Sequence, residues 1–167
     1  YSSAREAALE VIEAGIPLVM LITEGIPTRD VRDILAAARR HKTVLFGGNT
    51  PGVIFPPEGV KVGMLPDVFY PEEIAPGEFG PRGVTIISRS GAILYHMSDV
   101  LPSAGIAQNA VLGIGGDSAN GATFQDLVPV TMAYENTDVV VVAGEIGGSK
   151  EEQLAADIKA HPEKYPK

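Results

Sequence analysis

Three apolar runs in the second half of the chain each end in glycines and small polar residues, and this repeated pattern is what most limits the possible folds. The runs are found in GVTIISRSG, NAVLGIGGDS and DVVVVAGEIGGS, and each is followed by a stretch with helical character. Strands that alternate with helices pair in parallel, because a crossover helix carries the chain back to the start of the next strand. The pattern therefore predicts a parallel α/β sheet from Gly83 onward.

The first part of the chain shows the same alternation. The segment SAREAALEVIEAG predicts a helix, Leu18 to Thr23 a short strand, the residues from Thr28 a second helix, and TVLFGG another strand. The pattern opens on a helix, whereas a complete doubly wound sheet is expected to open on a strand. We therefore expect the sequence to be an internal piece that lacks an N-terminal strand or more.

Prolines separate these two α/β parts. Seven of the thirteen prolines lie between Pro51 and Pro81, where only GVKVGML resembles a strand. A proline-rich stretch of this length is typical of a linker or a crossing loop. We predict a partial α/β layer over residues 1–55, the linker over 56–82, and a second α/β domain over 83–167 that is truncated at its C-terminal side.

Composition excludes several classes of protein. With 45% hydrophobic residues among 167, the chain can bury a core, and its formal net charge of −8 argues against a nucleic-acid-binding surface. No apolar run reaches the ~18 residues that suggest a transmembrane helix. The absence of cysteine excludes disulfides and thiolate ligands, and no residues show metal-ligand spacing. We expect a cytoplasmic protein without a metal site.

The turns that follow the strands predict an anion site. Ligands of parallel α/β sheets bind beyond the carboxyl ends of the strands, where helix N-termini offer free N–H groups and a partial positive charge. The alternative is that the glycines only make tight turns. The candidate residues for phosphate binding are Ser88, Ser90, Gly91, Gly115, Gly116, Gly147, Gly148 and Ser149.

Acidic residues also occur near these turns. Glu145 either stabilises the positive end of the helix that follows it or accepts a hydrogen bond from a histidine. The acidic pairs Glu72–Glu73 and Glu151–Glu152 are interpreted as solvated helix or loop surface.

Six short motifs in the sequence occur together in a known family. They are TEGIPTRD, GGNTPGV, KVG, SRSG, GIGGD followed by spaced G, F and D, and GEIGGS followed by EE. Their order and spacing extend over nearly the whole chain. The sequence resembles the succinyl-CoA synthetase (succinate–CoA ligase) α-subunit family. ATP-citrate lyase and citryl-CoA synthetase, which the family includes, share the same motifs.

This resemblance implies an acid–CoA ligase that works through an acyl phosphate and a phosphorylated histidine. It implies a Rossmann-like CoA-binding domain followed by a flavodoxin-like domain with a parallel sheet, both of them partial here. CoA is the implied cofactor, and ATP or GTP with Mg is expected on a partner β subunit of ATP-grasp fold. The implied substrate is succinate or a related di- or tricarboxylic acid.

Matching these motifs to those of the family, position by position, implies roles for nine residues of this sequence. They are Ile22, Thr23, Glu24, Asn49 and Pro51 for CoA, Ser90 and Gly91 for the phosphate of the phosphohistidine, Tyr95 for the substrate, and Glu145 for orienting the catalytic histidine.

The sequence also departs from the family. The Gly-His-Ala-Gly segment that carries the catalytic histidine does not occur in the 167 residues, so we expect this piece alone to be inactive. His96 replaces a usual glutamate, and either assists carboxylate or phosphate binding or is a tolerated surface change. GGN replaces the usual GPN.

These departures leave two other interpretations open. One is a citryl-CoA synthetase or ATP-citrate lyase-type subunit, and the other is a non-catalytic module that binds CoA or phosphate. Two partial α/β layers would leave apolar edges and faces uncovered. We therefore expect association with the rest of the chain, with the ATP-grasp subunit, or with a second copy.

Overall fold

Helices and strands alternate along the chain as the sequence pattern predicts, with one additional strand, in a computed structural model that describes residues 3–66 and 83–166. The helices are α1 Ala4–Glu13, α2 Thr28–His41, α3 Gly91–Ser103, α4 Phe124–Ala133 and α5 Lys150–Ala160. The strands are β1 Leu18–Leu21, β2 Val44–Gly47, β3 Gly52–Phe55, β4 Val60–Gly63, β5 Gly83–Ser88, β6 Gln108–Gly113 and β7 Thr137–Ala143.

The strands form two sheets. β1 and β2 pair in parallel, and the larger sheet has the order β4-β3-β6-β5-β7. Within it β5 pairs in parallel with both β6 and β7, as predicted, whereas β3 is antiparallel to β4 and to β6. The predicted α/β class is therefore confirmed, with an antiparallel hairpin added to one side of the parallel strands.

Among the strands of the described residues, β3 is the one that the sequence pattern does not predict. It is four residues long and lies in the proline-rich region, where neither length nor periodicity distinguishes it from a loop. Gly52 has a φ of +111°, and a Cβ there would lie 2.1 Å from the Val62 carbonyl oxygen, so the hairpin needs glycine.

The division at residue 55 stays a prediction. β3 precedes that boundary but pairs with β6 of the second predicted domain. The predicted linker lies outside the described residues from residue 67 onward, as does the acidic pair Glu72–Glu73.

Both faces of the larger sheet are covered. Ile86 and Ile87 of β5 belong to different cores, as the alternation of side chains along a strand requires. Ile86 is in a core with Leu94 of α3, and Ile87 is in another with Phe124 of α4 and Leu154 of α5. A sheet that is buried on both faces leaves its strand ends as the places open to ligands.

The smaller sheet is joined to the larger one through β2. Phe46 belongs to the core that lies under α4 and α5. Gly121 N donates to Gly47 O, and Ala122 N donates to Leu45 O, both at 2.7 Å, so the loop after β6 runs along β2. A Cβ on Gly121 would lie 2.0 Å from the Leu45 oxygen, and only glycine permits this approach. The carboxyl ends of strands from both sheets consequently face one region.

Lys150 ties the same loop to the start of α5. Its Nζ donates to Asp117 O at 3.2 Å and to the side-chain oxygen of Asn120. Burial first, and then the positive charge of Arg89, lower the pKa of Lys150 to about 8, against the opposing charges of Glu151 and Asp117.

Among the helices in residues 3–66 and 83–166, none combines the length and the apolar character needed to cross a membrane.

We expect Ile34→Ala to reduce the free energy of unfolding by about 2–5 kcal/mol, because Ile34 of α2 is 0% exposed and its removal leaves a cavity. The matched control is Ile158→Ala in α5, where the side chain is 38% exposed, with an expected loss of about 1 kcal/mol or less. Urea unfolding followed by circular dichroism measures both, and equal losses would contradict the described core.

We expect the Lys150 amine to titrate with a midpoint of about 8 in the folded protein. Because an unfolded lysine has a pKa of about 10.4, the unfolded chain binds more protons between these two values. The contribution of Lys150 to folding stability therefore rises with pH across that window. NMR titration of the lysine ε-carbons should give a resonance with this midpoint, and Lys150→Met should abolish it; its persistence in the variant would contradict the assignment.

Candidate functional site

A cavity of about 330 Å³ lies at the carboxyl ends of the strands, between the two sheets. It is built from residues that follow β1, β2, β4, β5, β6 and β7, together with the first turn of α3. Seven of the nine residues predicted from the family motifs line this cavity. They are Ile22, Asn49, Pro51, Ser90, Gly91, Tyr95 and Glu145.

The other two predicted residues, Thr23 and Glu24, are not among those that line the cavity. Thr23 nevertheless supports it, since the Thr23 carbonyl accepts a hydrogen bond of 3.0 Å from Asn49 N. Asn49 has a φ of +60°, in the left-handed region that asparagine tolerates better than most residues. Glu24 is exposed on the turn after β1.

A second cavity, of about 350 Å³, lies at the opposite ends of the same strands. Its lining is mainly apolar, includes Phe55 and Val130, and contains none of the nine predicted residues. We assign the functional site to the carboxyl-end cavity, because ligands of parallel α/β sheets bind at that end and because the polar groups converge there.

Serine hydroxyls shape the turn between β5 and α3. Ser88 is fully buried; its Oγ donates to Ser90 O at 2.9 Å and accepts from Ser90 N at 3.0 Å. Ser90 is the N-cap of α3, and its side chain accepts from Ile93 N. The hydroxyls of Ser88 and Ser90 in the SRSG motif therefore fix the backbone so that the first amides of α3 face the cavity.

Gly91 leaves room for a ligand at this helix N-terminus. A Cβ built on Gly91 would have Pro51 Cγ, at 3.9 Å, as its nearest neighbour. Open space beside backbone N–H groups and the positive end of a helix dipole is the usual setting for an anion.

Unlike the turn at Ser90, the turn at Gly116 does not lead directly into a helix. α4 begins at Phe124, after a capping box in which Thr123 and Asp126 satisfy each other's backbone amides. Gly116 N donates to Asn49 O at 3.2 Å, so this amide is occupied by the protein itself. A Cβ on Gly115 would lie 2.2 Å from Gly48 O. Gly115 therefore permits a close approach of two backbones, and the Gly116 amide is not free to bind an anion.

Glu145 lies across the cavity from α3. It is exposed, on the turn that follows β7, and its Oε2 lies 3.0 Å from the position that a Cβ on Gly116 would take. The cavity therefore has a helix N-terminus on one side and a carboxylate on the other. A cationic or hydrogen-bond-donating group between them would be stabilised by both.

Arg89 lines the cavity, although the residue predictions did not include it. The side chain is 3% exposed, and its Nη1 donates to Gly147 O at 2.9 Å and to Glu151 Oε1 at 3.0 Å. The only signal in the sequence was a guanidinium within a buried strand end, because its acidic partner is 62 residues away.

The interpretation of Glu151 as solvated surface is therefore wrong, whereas Glu152 is exposed as expected. Burial disfavours the charged form of Glu151, but hydrogen bonds from its own amide, from Arg89 and from Glu145 N lower the pKa of this carboxyl below its usual value.

His96 is exposed on α3 and does not line the cavity. In residues 3–66 and 83–166, no group of three or more His, Asp or Glu side chains is placed to hold a metal ion.

Comparisons with known proteins agree with the sequence resemblance. Residues 87–165 match the model of the CoA-ligase family. The chain is 42% identical over 156 residues to succinate–CoA ligase [ADP-forming] subunit alpha 1 of Archaeoglobus fulgidus, covering 93% of this chain and 50% of that protein. It is 36% identical over 164 residues to the corresponding alpha subunit of Aquifex aeolicus, covering 96% and 50%. The chain thus spans about half the length of these curated relatives.

Solved structures share the fold. The ATP citrate lyase of Methanothrix soehngenii, solved with citrate and coenzyme A, superposes with a TM-score of 0.76 at 26% identity, over 95% of this chain and 26% of that one. The dinucleotide-forming acetyl-coenzyme A synthetase 1 of Ca. Korarchaeum cryptofilum gives a TM-score of 0.75 at 17% identity, over 94% and 32%, and indicates the fold alone. On sequence and fold together, residues 87–165 belong to the CoA-ligase family, and the chain as a whole is similar to about half of a succinate–CoA ligase α subunit.

Proposed function

We propose that the chain is part of the α subunit of a nucleoside-diphosphate-forming carboxylate–CoA ligase, and that the carboxyl-end cavity binds CoA and a phosphoryl group. The observation that carries this proposal is the convergence on one cavity of seven residues whose roles the sequence resemblance implies. The identity of 36–42% to succinate–CoA ligase α subunits supports succinate as the acid.

The first turn of α3 fits a phosphoryl group. The amides of Gly91 and Ala92 belong to the turn whose N–H groups have no partner inside the helix, and both residues line the cavity. The space beside Gly91 admits a ligand, and the helix dipole favours negative charge. In this proposal Ser90 and Gly91 hold the phosphate of the phosphorylated histidine.

The side of the cavity formed by the smaller sheet fits CoA. Ile22 is 39% exposed at the end of β1, which leaves an apolar surface beside the polar amide of Asn49. CoA combines an apolar pantetheine arm with phosphates and amides, and it supplies the thiol that accepts the acyl group. In this proposal Ile22, Asn49 and Pro51 line the CoA-binding side, Thr23 supports it through its hydrogen bond with Asn49, and Glu24 lies on the adjoining exposed turn.

In this proposal the negative charges of Glu145 and of the bound phosphate must be separated by another group. A carboxylate close to a phosphate would repel it, by about 1 kcal/mol for unit charges 4 Å apart in water. A histidine ring between them, with one N–H directed to Glu145, removes the conflict and keeps the other ring nitrogen available for phosphorylation. A partner subunit of ATP-grasp fold would supply the nucleotide and Mg.

A citrate-dependent enzyme is the second candidate. It is favoured by the structural likeness to ATP citrate lyase, at a TM-score of 0.76 and 26% identity. Competition between succinate and citrate in the complete enzyme distinguishes the two substrates.

We expect Ile22→Asp to weaken CoA binding at least about tenfold, because it replaces apolar contact by a charge that repels the CoA phosphates. The control is Ile16→Asp, which changes a similarly exposed isoleucine, 44% against 39%, before β1 rather than after it. Isothermal titration calorimetry with CoA measures both variants. No CoA binding by the unsubstituted chain, or equal effects of the two variants, would contradict the proposed CoA side.

We expect Glu145→Gln to strengthen the binding of inorganic phosphate to the chain by about fivefold, which corresponds to the loss of about 1 kcal/mol of repulsion. Glu152→Gln removes an equal charge from an exposed position on α5 and should change the affinity much less. Phosphate titrations followed by NMR of the Gly91 and Ala92 amides report the binding directly. An unchanged affinity in Glu145→Gln would show that the anion binds away from this carboxylate.

A further inference from the structure

Arg89 holds the turn that carries Glu145. Besides the bonds to Gly147 O and Glu151, its Nη1 lies 3.3 Å from Glu145 O and donates to it. The backbone of Arg89 is also anchored, because its amide donates to Ala143 O at 3.1 Å. One side chain from the end of β5 therefore contacts the backbone on both sides of Ile146, at the tip of the turn after β7.

Together with Arg89, Glu151 forms a clamp on the backbone of Glu145. Its Oε1 accepts from Arg89 at 3.0 Å and lies 3.3 Å from Glu145 N, which donates to it. Both backbone polar groups of Glu145, the N–H and the carbonyl, are thus held by the Arg89–Glu151 pair. The Glu145 side chain is left exposed toward the cavity.

We infer that Arg89 is a positioning residue, which acts with Glu151 to set the distance and direction of the Glu145 carboxylate relative to the N-terminus of α3. This inference rests on the proposed function, in which Glu145 orients the reacting histidine. Arg89 lies one residue before the N-cap Ser90, so the same short segment fixes both sides of the cavity.

The clamp requires an arginine for reasons of geometry. The bonds to Glu145 O, Gly147 O and Glu151 all come from Nη1, whose position the rigid plane of the guanidinium fixes, whereas a lysine amine is a point charge on a flexible stem. The ion pair is also expensive, because Arg89 is 3% exposed and its buried Nε–H has no hydrogen-bond partner among the described residues. Apolar side chains often stabilise a buried site at least as well as an ion pair does. A pair that orients a backbone, rather than one that only adds stability, accounts for this arrangement.

The first part of the test measures the turn itself in the 167-residue chain. We expect Arg89→Lys to raise the hydrogen-exchange rate of residues 144–149 at least about tenfold while the exchange of β5 and β6 stays unchanged. Glu151→Gln, a gentler change of the same clamp, should act on the same residues. The control Arg5→Lys alters an arginine of α1 that pairs with Asp33 of α2 at 2.8 Å and should leave the turn unaffected. Unchanged exchange in both clamp variants would overturn the inference.

The second part measures turnover in the complete ligase, assembled with its nucleotide-binding subunit. We expect Arg89→Lys to lower kcat about 10- to 100-fold with little change in KM for CoA, since a shift of about 1 Å in a catalytic geometry has effects of this size. In a Glu145→Gln background the same substitution should have almost no further effect. A residue that only stabilised the fold would give losses that multiply.

The outcomes separate this inference from the proposed function. A loss from Arg89→Lys that persists in full in the Glu145→Gln background overturns the inference alone. The same holds if Glu145→Gln lowers kcat while Arg89→Lys does not. If Glu145→Gln leaves kcat unchanged, the proposed role of Glu145 fails, and the positioning role fails with it.

Discussion

The backbone contact between β2 and the loop after β6 is the constraint on which the rest of the site depends. The carbonyls of Leu45 and Gly47 accept hydrogen bonds of 2.7 Å from Ala122 and Gly121, and a side chain on Gly121 would remove this approach. The proposed CoA side follows the smaller sheet and the proposed phosphate side follows the larger one. Neither sheet contains a complete site, so the cavity exists only while this contact holds. A short stretch of ordinary hydrogen bonding thereby decides whether two sets of residues act together.

The charged groups around the cavity differ in burial. Arg89 is buried, whereas Glu145 is exposed. Arg89 is the cation among the described residues that line the cavity, yet its Nη1 is engaged by Glu151 and by two backbone carbonyls. A ligand therefore meets the dipole of α3 and the exposed carboxylate of Glu145 rather than a free guanidinium. This division suits a group whose charge changes during a reaction, because a permanently bound phosphate would be better served by an unpaired arginine.

Much of this fold follows from short-range patterns, whereas the parts that do not are set by contacts far apart in sequence. Apolar periodicity predicts β5 and β6, and the serine and glycine that follow β5 predict the start of α3. The same reasoning fails at Gly116, because a glycine that opens a helix and a glycine that lets two backbones approach look alike in sequence. It also misses Arg89, whose partner Glu151 is 62 residues away in an acidic pair typical of solvated surface. β3 is missed because four residues are too few for a period to appear.

In the proposed function, the choice of acid depends on Tyr95, whose hydroxyl is already bonded to the protein. The hydroxyl of Tyr95 donates to Met64 O at 2.8 Å, so a substrate that needs this hydroxyl must displace a carbonyl. Exchanging one neutral hydrogen bond for another gains little, since each contributes only about 0.5–1.5 kcal/mol. A carboxylate is a stronger acceptor than a carbonyl, and hydrogen bonds to charged groups contribute about 1.5–3 kcal/mol. In the proposed function, the closed Tyr95–Met64 contact therefore favours a substrate that presents an ionised carboxyl group to Tyr95 over an amide, ester or alcohol of the same size.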